Sequence, residues 1–270
     1  MTQFKLARVA AVAAGIALAP PAAAQTVGVN SAVVNTVQMT TDAQPTLHAA
    51  AVRERVSLGR EIRTGAASRL QVLLLDRSNF QVGANARITV DRFVYDPARS
   101  ASAVGMSVAR GAFRFMSGRP THANPGQSSI RTPVATIGIR GTIVEGVVGE
   151  DAVAIARAEL GVDRVAGADA GTASLILLRG PGAAAQGTTA GAIDVAAGGR
   201  TVPVERAGFA VFVGGADQPP IGPFELSAEG HARLSALLGD PRVVRGDLGL
   251  DPRATSPITD LNLQGPATRF

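Results

Sequence analysis

Short apolar runs that alternate with polar residues, each ended by turn chemistry, recur from about Val27 to Val148 and restrict the fold more than any other feature. Leu70, Val72 and Leu74 alternate with Gln71 and Leu73; Phe80 and Val82 follow an Arg77-Ser78-Asn79 turn; Ile88 and Val90 alternate with Arg87, Thr89 and Asp91. A period of two places one set of side chains on one face of a strand. Breakers at Thr64-Gly65, Asp76 to Asn79, Gly83 to Asn85, Asp96-Pro97, Arg110-Gly111, Ser117-Gly118 and Asn124 to Gly126 fall close to the roughly 8 to 12 residue spacing of sandwiches, barrels and β-rolls. This stretch reads as one all-β unit. Helical patterning is confined to Asp151 to Leu160, closed by Gly161, and Ser227 to Leu238, with Ser227 as cap and Leu234, Leu237 and Leu238 as a stripe closed by Gly239. Strand character returns at Ser174 to Leu178, Ile193 to Val195, Thr201 to Val204 and Phe209 to Val213, and both β regions are expected to share a core. Gly182 to Gly191 reads as a flexible loop, and residues 216–270 as a Pro-rich linker, the short helix and a poorly ordered tail.

At the amino terminus Lys5 and Arg8 precede an apolar run from Val9 to Ala19, followed by Pro20-Pro21 and Ala22 to Ala24. A positive start, a short apolar segment and small residues before Gln25 read as a secretory signal peptide over residues 1–24, cut after Ala24. Gly15 and the two prolines leave the run short of the roughly 20 residues a bilayer requires. After cleavage no integral membrane span is expected, because later apolar runs are broken every few residues by Arg, Asp or Gly. The expected location is the periplasm or another extracytoplasmic site.

Loss of residues 1–24 removes two basic groups and no acidic one, so the net charge falls from +5 to +3. The remaining arginines are spread singly among acids, and aromatic residues make up 4% of the chain, which argues against nucleic acid as a partner. Cysteine is absent, so an ordinary hydrophobic core must hold the domain, and 46% hydrophobic residues can supply one.

Catalytic chemistry finds little support. There is no GxSxG elbow and no lysine beyond Lys5 to serve as nucleophile or phosphate ligand. His48, His122 and His231 lie far apart without metal-ligand spacing; they read as surface or loop histidines, and neither a metal nor a cofactor is expected. Glu54 with Glu61, or Glu150 with Asp151, supply acid pairs of the kind glycoside hydrolysis uses, but a polysaccharide cleft also calls for aromatic platforms. The phenylalanines sit at strand-like positions that suggest core.

The stretch Ile130 to Thr142, IRTPVATIGIRGT, carries the most specific pattern. Pro133 lacks a backbone donor and belongs at a strand start or edge. Gly138 and Gly141 permit bends or close packing, and Arg140 can set its guanidinium on turn carbonyls or on an Asp or Glu. This segment resembles the TP-x-A-x-x-G-x-RGT signature of FecR-domain proteins. Earlier segments agree in order: Arg63-Thr64-Gly65, LLLDRSNFQV from Leu73 with its Asp76-x-Ser78 turn, ITVDRFVYDP from Ile88, and Ala109 to Phe115 around Gly111. The similarity is strongest over residues 56–146. The motif positions Thr64, Gly65, Asp76, Ser78, Gly111, Thr132, Pro133, Gly138, Arg140, Gly141 and Thr142 are expected to serve the fold first and binding second.

The resemblance implies a mainly β, roll- or solenoid-like or sandwich-like domain over residues 25–215, with one inserted helical segment at about 151–161 and a short C-terminal helix. In the best-known members the domain relays a signal from an outer-membrane receptor to a cytoplasmic sigma factor. Those transducers carry a sigma-binding segment and a membrane helix, whereas this sequence opens on a cleavable signal. The expectation is a non-catalytic protein-binding or scaffolding module of the bacterial cell envelope, with an unidentified envelope protein as partner and β-augmentation at a strand edge as one mode. The alternative is a ligand or cell-wall carbohydrate sensor linked to envelope stress or metal uptake.

Overall fold

The computed structural model describes residues 25–99, 101–118, 126–180 and 191–239. The chain begins with β1 (Thr26–Val34), β2 (Val37–Met39), β3 (His48–Ala49), β4 (Arg55–Ser57), β5 (Glu61–Thr64), β6 (Arg69–Leu74), β7 (Asn79–Val82) and β8 (Arg87–Asp96). There follow β9 (Ala101–Met116), β10 (Ser128–Arg131), β11 (Thr136–Arg140), β12 (Ile143–Val148), helix α1 (Glu150–Leu160) and β13 (Ser174–Gly180). Then come β14 (Ala192–Ala197), β15 (Arg200–Val204), β16 (Phe209–Val213), β17 (Ile221–Glu225) and helix α2 (Ala228–Leu238). The expected mainly β architecture is present, with strands at each of the four places expected after the first helix.

The strands form one mixed sheet folded into two layers. The first layer runs β4-β1-β6-β7-β9-β12-β13-β16-β17, and the second β3-β2-β5-β8-β9-β10-β11-β14-β15. The pairing of β9 with β10 is parallel. Period-two patterning explains the layering: β6 alternates half-buried and buried positions along its length, and its Leu70, Val72 and Leu74 meet Ile62, Ile88 and Val90 of the other layer in a common core. Ile176, Leu178, Ile193, Val195 and Val211 join the same core, so both β regions share it as expected.

Strand β9 belongs to both layers. Its residues up to Arg110 pair with β8, and from Gly111 onward it pairs with β12 and β7. The inward positions are Val104, Met106 and Val108 in the first half and Phe113 and Phe115 in the second, a one-residue change of phase. Gly111 makes the turn at φ +85°, and a Cβ there would lie 2.7 Å from the Ala86 amide nitrogen. A non-glycine residue would meet both the left-handed backbone and a steric clash.

The first layer is covered on its outer side as well. Val147, Leu175, Leu177 and Phe212 point away from the common core and pack with Ile155 of α1 and Leu234 and Leu238 of α2. Strand β12 is therefore buried at every position, and β12 and β13 read as continuous apolar runs rather than alternating ones. Glu150 and Asp151 lie in the first turn of α1, where carboxylates face the positive end of the helix dipole. The Ser227 hydroxyl caps α2 by accepting from the Gly230 amide at 3.1 Å, as its sequence predicts.

The stretch read as linker from residue 216 contains β17, which pairs with β16; Pro223 fits there because β17 is the end strand, where a missing amide costs no ladder bond. The expected signal peptide, the tail beyond Gly239 and all of the expected loop except Gly191 lie outside the described residues. Among the described residues no helix is long and apolar enough to cross a membrane.

Gly111→Ala should lower stability by about 2 kcal/mol or more, from backbone strain and overpacking together. Urea melts check it, and a variant that melts with its parent would show that the bend of β9 is not held at this residue.

Candidate functional site

The motif positions resolve into separate ties between strands, not into one cleft. Thr64, at the end of β5, donates its hydroxyl to the Gly83 carbonyl at 2.6 Å and accepts from the Ala86 amide at 2.9 Å. The Gly65 amide donates to the Thr36 carbonyl at 2.9 Å. Asp76 and Ser78 are fully buried. The Asp76 carboxyl accepts from the Ser78 amide and hydroxyl, both at 2.9 Å, and from the Ser102 hydroxyl at 2.5 Å. The Ser78 hydroxyl in turn accepts from the Gly118 amide at 2.9 Å. This one turn thus holds the chain just inside the start of β9 and just past its end.

Thr132 and Ala135 close the turn between β10 and β11, the Thr132 amide donating to the Ala135 carbonyl at 2.9 Å and its hydroxyl accepting from the Ala135 amide at 3.0 Å. Ser174 donates to the same hydroxyl at 2.9 Å. Pro133 occupies this turn and not a strand start or edge; its fixed φ suits the second position of a β-turn. Gly138 also departs from expectation. It is an ordinary strand residue whose Cβ would meet only Asp194, at 3.8 Å, so neither a bend nor close packing requires a glycine there. Gly141 does require one, with φ +54° at the bend. Thr142 donates its amide to the Ser117 hydroxyl at 3.2 Å and its hydroxyl to the Gly180 carbonyl at 3.3 Å.

Arg140 ends β11 and pairs with acids, one of its two expected roles. Its Nη2 lies 3.3 Å from Asp194 Oδ1 and 3.8 Å from Glu205 Oε1. The Asp194 side chain is 39% exposed, so the partner is not a buried group left stranded when the arginine is removed.

The most concentrated polar chemistry escaped the sequence reading. Gln81, Arg114 and Glu145 stand directly opposite one another on β7, β9 and β12, on the face that carries the helices. Glu145 is 1% exposed. Its Oε1 accepts from Arg114 Nε at 2.8 Å and lies 3.8 Å from Arg179 Nε. Arg114 also donates to Gln81 at 3.0 Å, and Gln81 donates to the Leu238 carbonyl at the end of α2 at 2.7 Å. Arg179 Nη1 lies 2.9 Å from His231 Nδ1 on α2, and burial, then the Arg179 charge, hold the His231 pKa below its usual value. The Ser227 hydroxyl and amide donate to Glu159 of α1 at 2.5 and 3.0 Å. A lone acid inside the apolar run Ile143 to Val148 was the available signal.

The histidines also depart from expectation. His48 opens β3 with its Nε2 2.6 Å from Glu54 Oε1, and this bond raises its pKa. His231 is helical, and His122 lies outside the described residues. Among the described residues no group of three potential metal ligands forms. The candidate acid pairs are separated in role: Glu54 holds His48, Glu61 bonds Arg63, and Glu150 and Asp151 are exposed on α1. Phe80, Phe113, Phe115 and Phe212 are fully buried. A shallow concavity of about 310 Å³ is lined by Pro203 to Arg206, Phe209 and Pro223, and Arg206 covers the Phe209 ring at 4.4 Å from its centre.

Arg140→Ala should cost under about 1 kcal/mol, as exposed pairs do, whereas Gly141→Val should cost about 1–3 kcal/mol by forcing a β-branched residue to positive φ; thermal melts that reverse this order would make Arg140 the more important of the two. For His48, a folded-state pKa above the unfolded one stabilises the fold below about pH 6.5, and the gain fades as pH rises through the raised value. The stability deficit of His48→Gln should therefore be larger near pH 6 than near pH 8.5. His231, with its pKa lowered, acts in the opposite sense, so the difference between parent and variant is the quantity to measure. A deficit that grows with pH would assign the bond to neutral His48.

Comparison with known proteins adds three findings. Residues 60–160 match the family described as FecR protein, a match that runs on through α1. No curated protein matches the chain. Among solved structures, two crystal structures from Parabacteroides distasonis, at 2.50 and 1.65 Å resolution, are of a protein provisionally described as an anti-sigma factor. They share 14% and 13% identity with TM-scores of 0.39 and 0.38, over 62% of this chain and 60% of theirs. The chain thus spans about 60% of the length of those structures. Ordered motif and family match agree, and over residues 60–160 the chain carries a FecR domain.

Proposed function

We propose that this chain is exported across the inner membrane and works, without catalysis, as a protein-binding or scaffolding module in the bacterial cell envelope, with envelope signalling as its setting. The observation that carries this reading is the division of labour between the two outer faces. Helices cover the first layer, while among the described residues no element lies over the second layer, which presents a polar strand face: Glu61, Thr89, Ser107, Arg131 and Thr136 lie side by side across β5, β8, β9, β10 and β11, each half-buried or exposed. Most of the motif residues, by contrast, are engaged in turns and ties between strands.

The end strands suit β-augmentation less well. β3 and β4 have two and three residues, and β15 and β17 carry Pro203 and Pro223, features that blunt an edge against strand addition. Contact through the strand face is the mode this arrangement favours. Aromatic platforms, which would favour a carbohydrate ligand, are mostly taken up by the core.

Protein recovered from its native host should begin at Gln25 and fractionate with soluble periplasmic proteins, and the tagged form should retain one envelope protein that excess untagged chain displaces. Intact Met1 protein in the inner membrane would overturn the export reading. A periplasmic extract from which nothing is specifically displaced would overturn the binding reading.

A further inference from the structure

On this strand face, Arg63 of β5 stands opposite Arg87 of β8, and Arg87 opposite Arg110 of β9, where a bulge shifts the β8–β9 register. Arg63 is 41% and Arg87 46% exposed in their side chains, and Arg110 is exposed too. Residues directly opposite on antiparallel strands have Cβ atoms roughly 4.5–5.5 Å apart, and like charges placed so destabilise the sheet. Three guanidinium groups in one row therefore work against the fold that holds them.

A single carboxylate offsets them. Glu61 bonds Arg63 Nε and lies 3.8 Å from Arg87 Nε, while Arg110 has no ion pair among the described residues. The row keeps a surplus of positive charge at Arg87 and Arg110. Gln38 extends it beyond Arg63, and Thr89 and Ser107 form the next row. Neither row holds an aromatic ring to stack on bases or a large apolar side chain to enter a membrane. Glu61 displays the chemistry that fits: one carboxylate set between two planar forks, a geometry that arginine meets better than lysine.

We propose that Arg63, Arg87 and Arg110 form a docking strip for an acidic segment of a protein partner, whose carboxylates sit between Arg87 and Arg110 as Glu61 sits between Arg63 and Arg87. This rests on the reading of the domain as a protein-binding module and names the surface and the partner's chemistry. Because the row opposes folding, its neutralisation separates binding from structure: an arginine there contributes to docking while detracting from stability.

The probe is an octa-glutamate peptide, titrated against the purified protein at about 0.02 M and 0.15 M salt, since exposed pairs are screened at the higher value. Arg110→Gln should weaken binding roughly fivefold, Arg87→Gln with Arg110→Gln should weaken it further, and both variants should melt at or above the parent temperature. Arg200→Gln, at an exposed site on β15, should bind like the parent. Equal loss with Arg200→Gln, unchanged binding in the double variant, or a lowered melting temperature in Arg110→Gln would overturn the strip. Vesicles of phosphatidylcholine with about 30% phosphatidylglycerol form a second arm; binding to them but not to the peptide would give the row to a lipid surface and overturn the proposal. If the double variant still captures the envelope partner, the strip fails and the module reading stands. Should the peptide bind through these arginines while no envelope protein is captured, the strip stands and the module reading fails.

Discussion

The buried Asp76 carboxyl group is the tie on which the two-layer arrangement depends. A strand of sixteen residues would by itself run straight and keep its ends far apart. Here Ser102, near the start of β9, bonds Asp76, and Gly118, just past its end, bonds Ser78. The β6–β7 turn therefore joins the two halves of β9 after the bend at Gly111 has sent them into different layers. Both residues are fully buried, so these bonds form away from competing water, and a missing partner would leave a polar group with nothing to replace it. The Asp-x-Ser turn, a local motif, closes a nonlocal fold.

The outer face of the first layer shows the opposite choice, a polar group retained where an apolar one would pack. Glu145 is 1% exposed, with Arg114 as its close partner and one oxygen, Oε2, without a protein donor among the described residues. An ion pair of this kind rarely adds net stability, since desolvation offsets its Coulomb attraction, yet removal of one partner alone typically costs about 3–5 kcal/mol. Its effect is on geometry. Arg114 also holds Gln81, Gln81 holds the last carbonyl of α2, and Arg179 reaches His231 in the same helix. The row ties α2 to defined polar points on an otherwise apolar surface.

Local chemistry was legible in the sequence, and nonlocal assignment was not. Period two marks β6, β7 and β8, the Ser227 cap marks the start of α2, and the Asp76-x-Ser78 and Gly141 positions read as turns because turn chemistry acts over a few residues. Which strands share a layer depends on the bend of β9, and Arg110-Gly111 marks a turn without stating that the strand continues in another sheet. Glu145 carries no periodic signal because β12 is buried on both faces, so its one charged residue stands in an apolar run where alternation gives no direction. Residues 221–225 read as linker because prolines argue against strands, yet an end strand tolerates them. His48 could not be placed without Glu54, six residues on, across a turn whose shape the sequence does not encode in any simple period.

One compositional fact links the interior to the surface. Lys5 is the only lysine, so every cation in the described chain apart from a protonated histidine is an arginine, and cation–carboxylate contacts are made by guanidinium N–H groups. The interior uses this at Arg114 and Glu145; the surface uses it at Arg140 and Asp194, and at Arg60, whose Nε and Nη2 reach one Asp42 oxygen at 2.8 and 2.6 Å. Such pairs are directional, because a guanidinium donates in its own plane and a carboxylate accepts along fixed lone pairs. A strand face built from arginines and short polar residues therefore selects the position of an incoming carboxylate more sharply than a field of flexible ammonium groups would. That selectivity depends on the strands keeping their register, which returns the surface chemistry to the bend and the buried turn that hold β9.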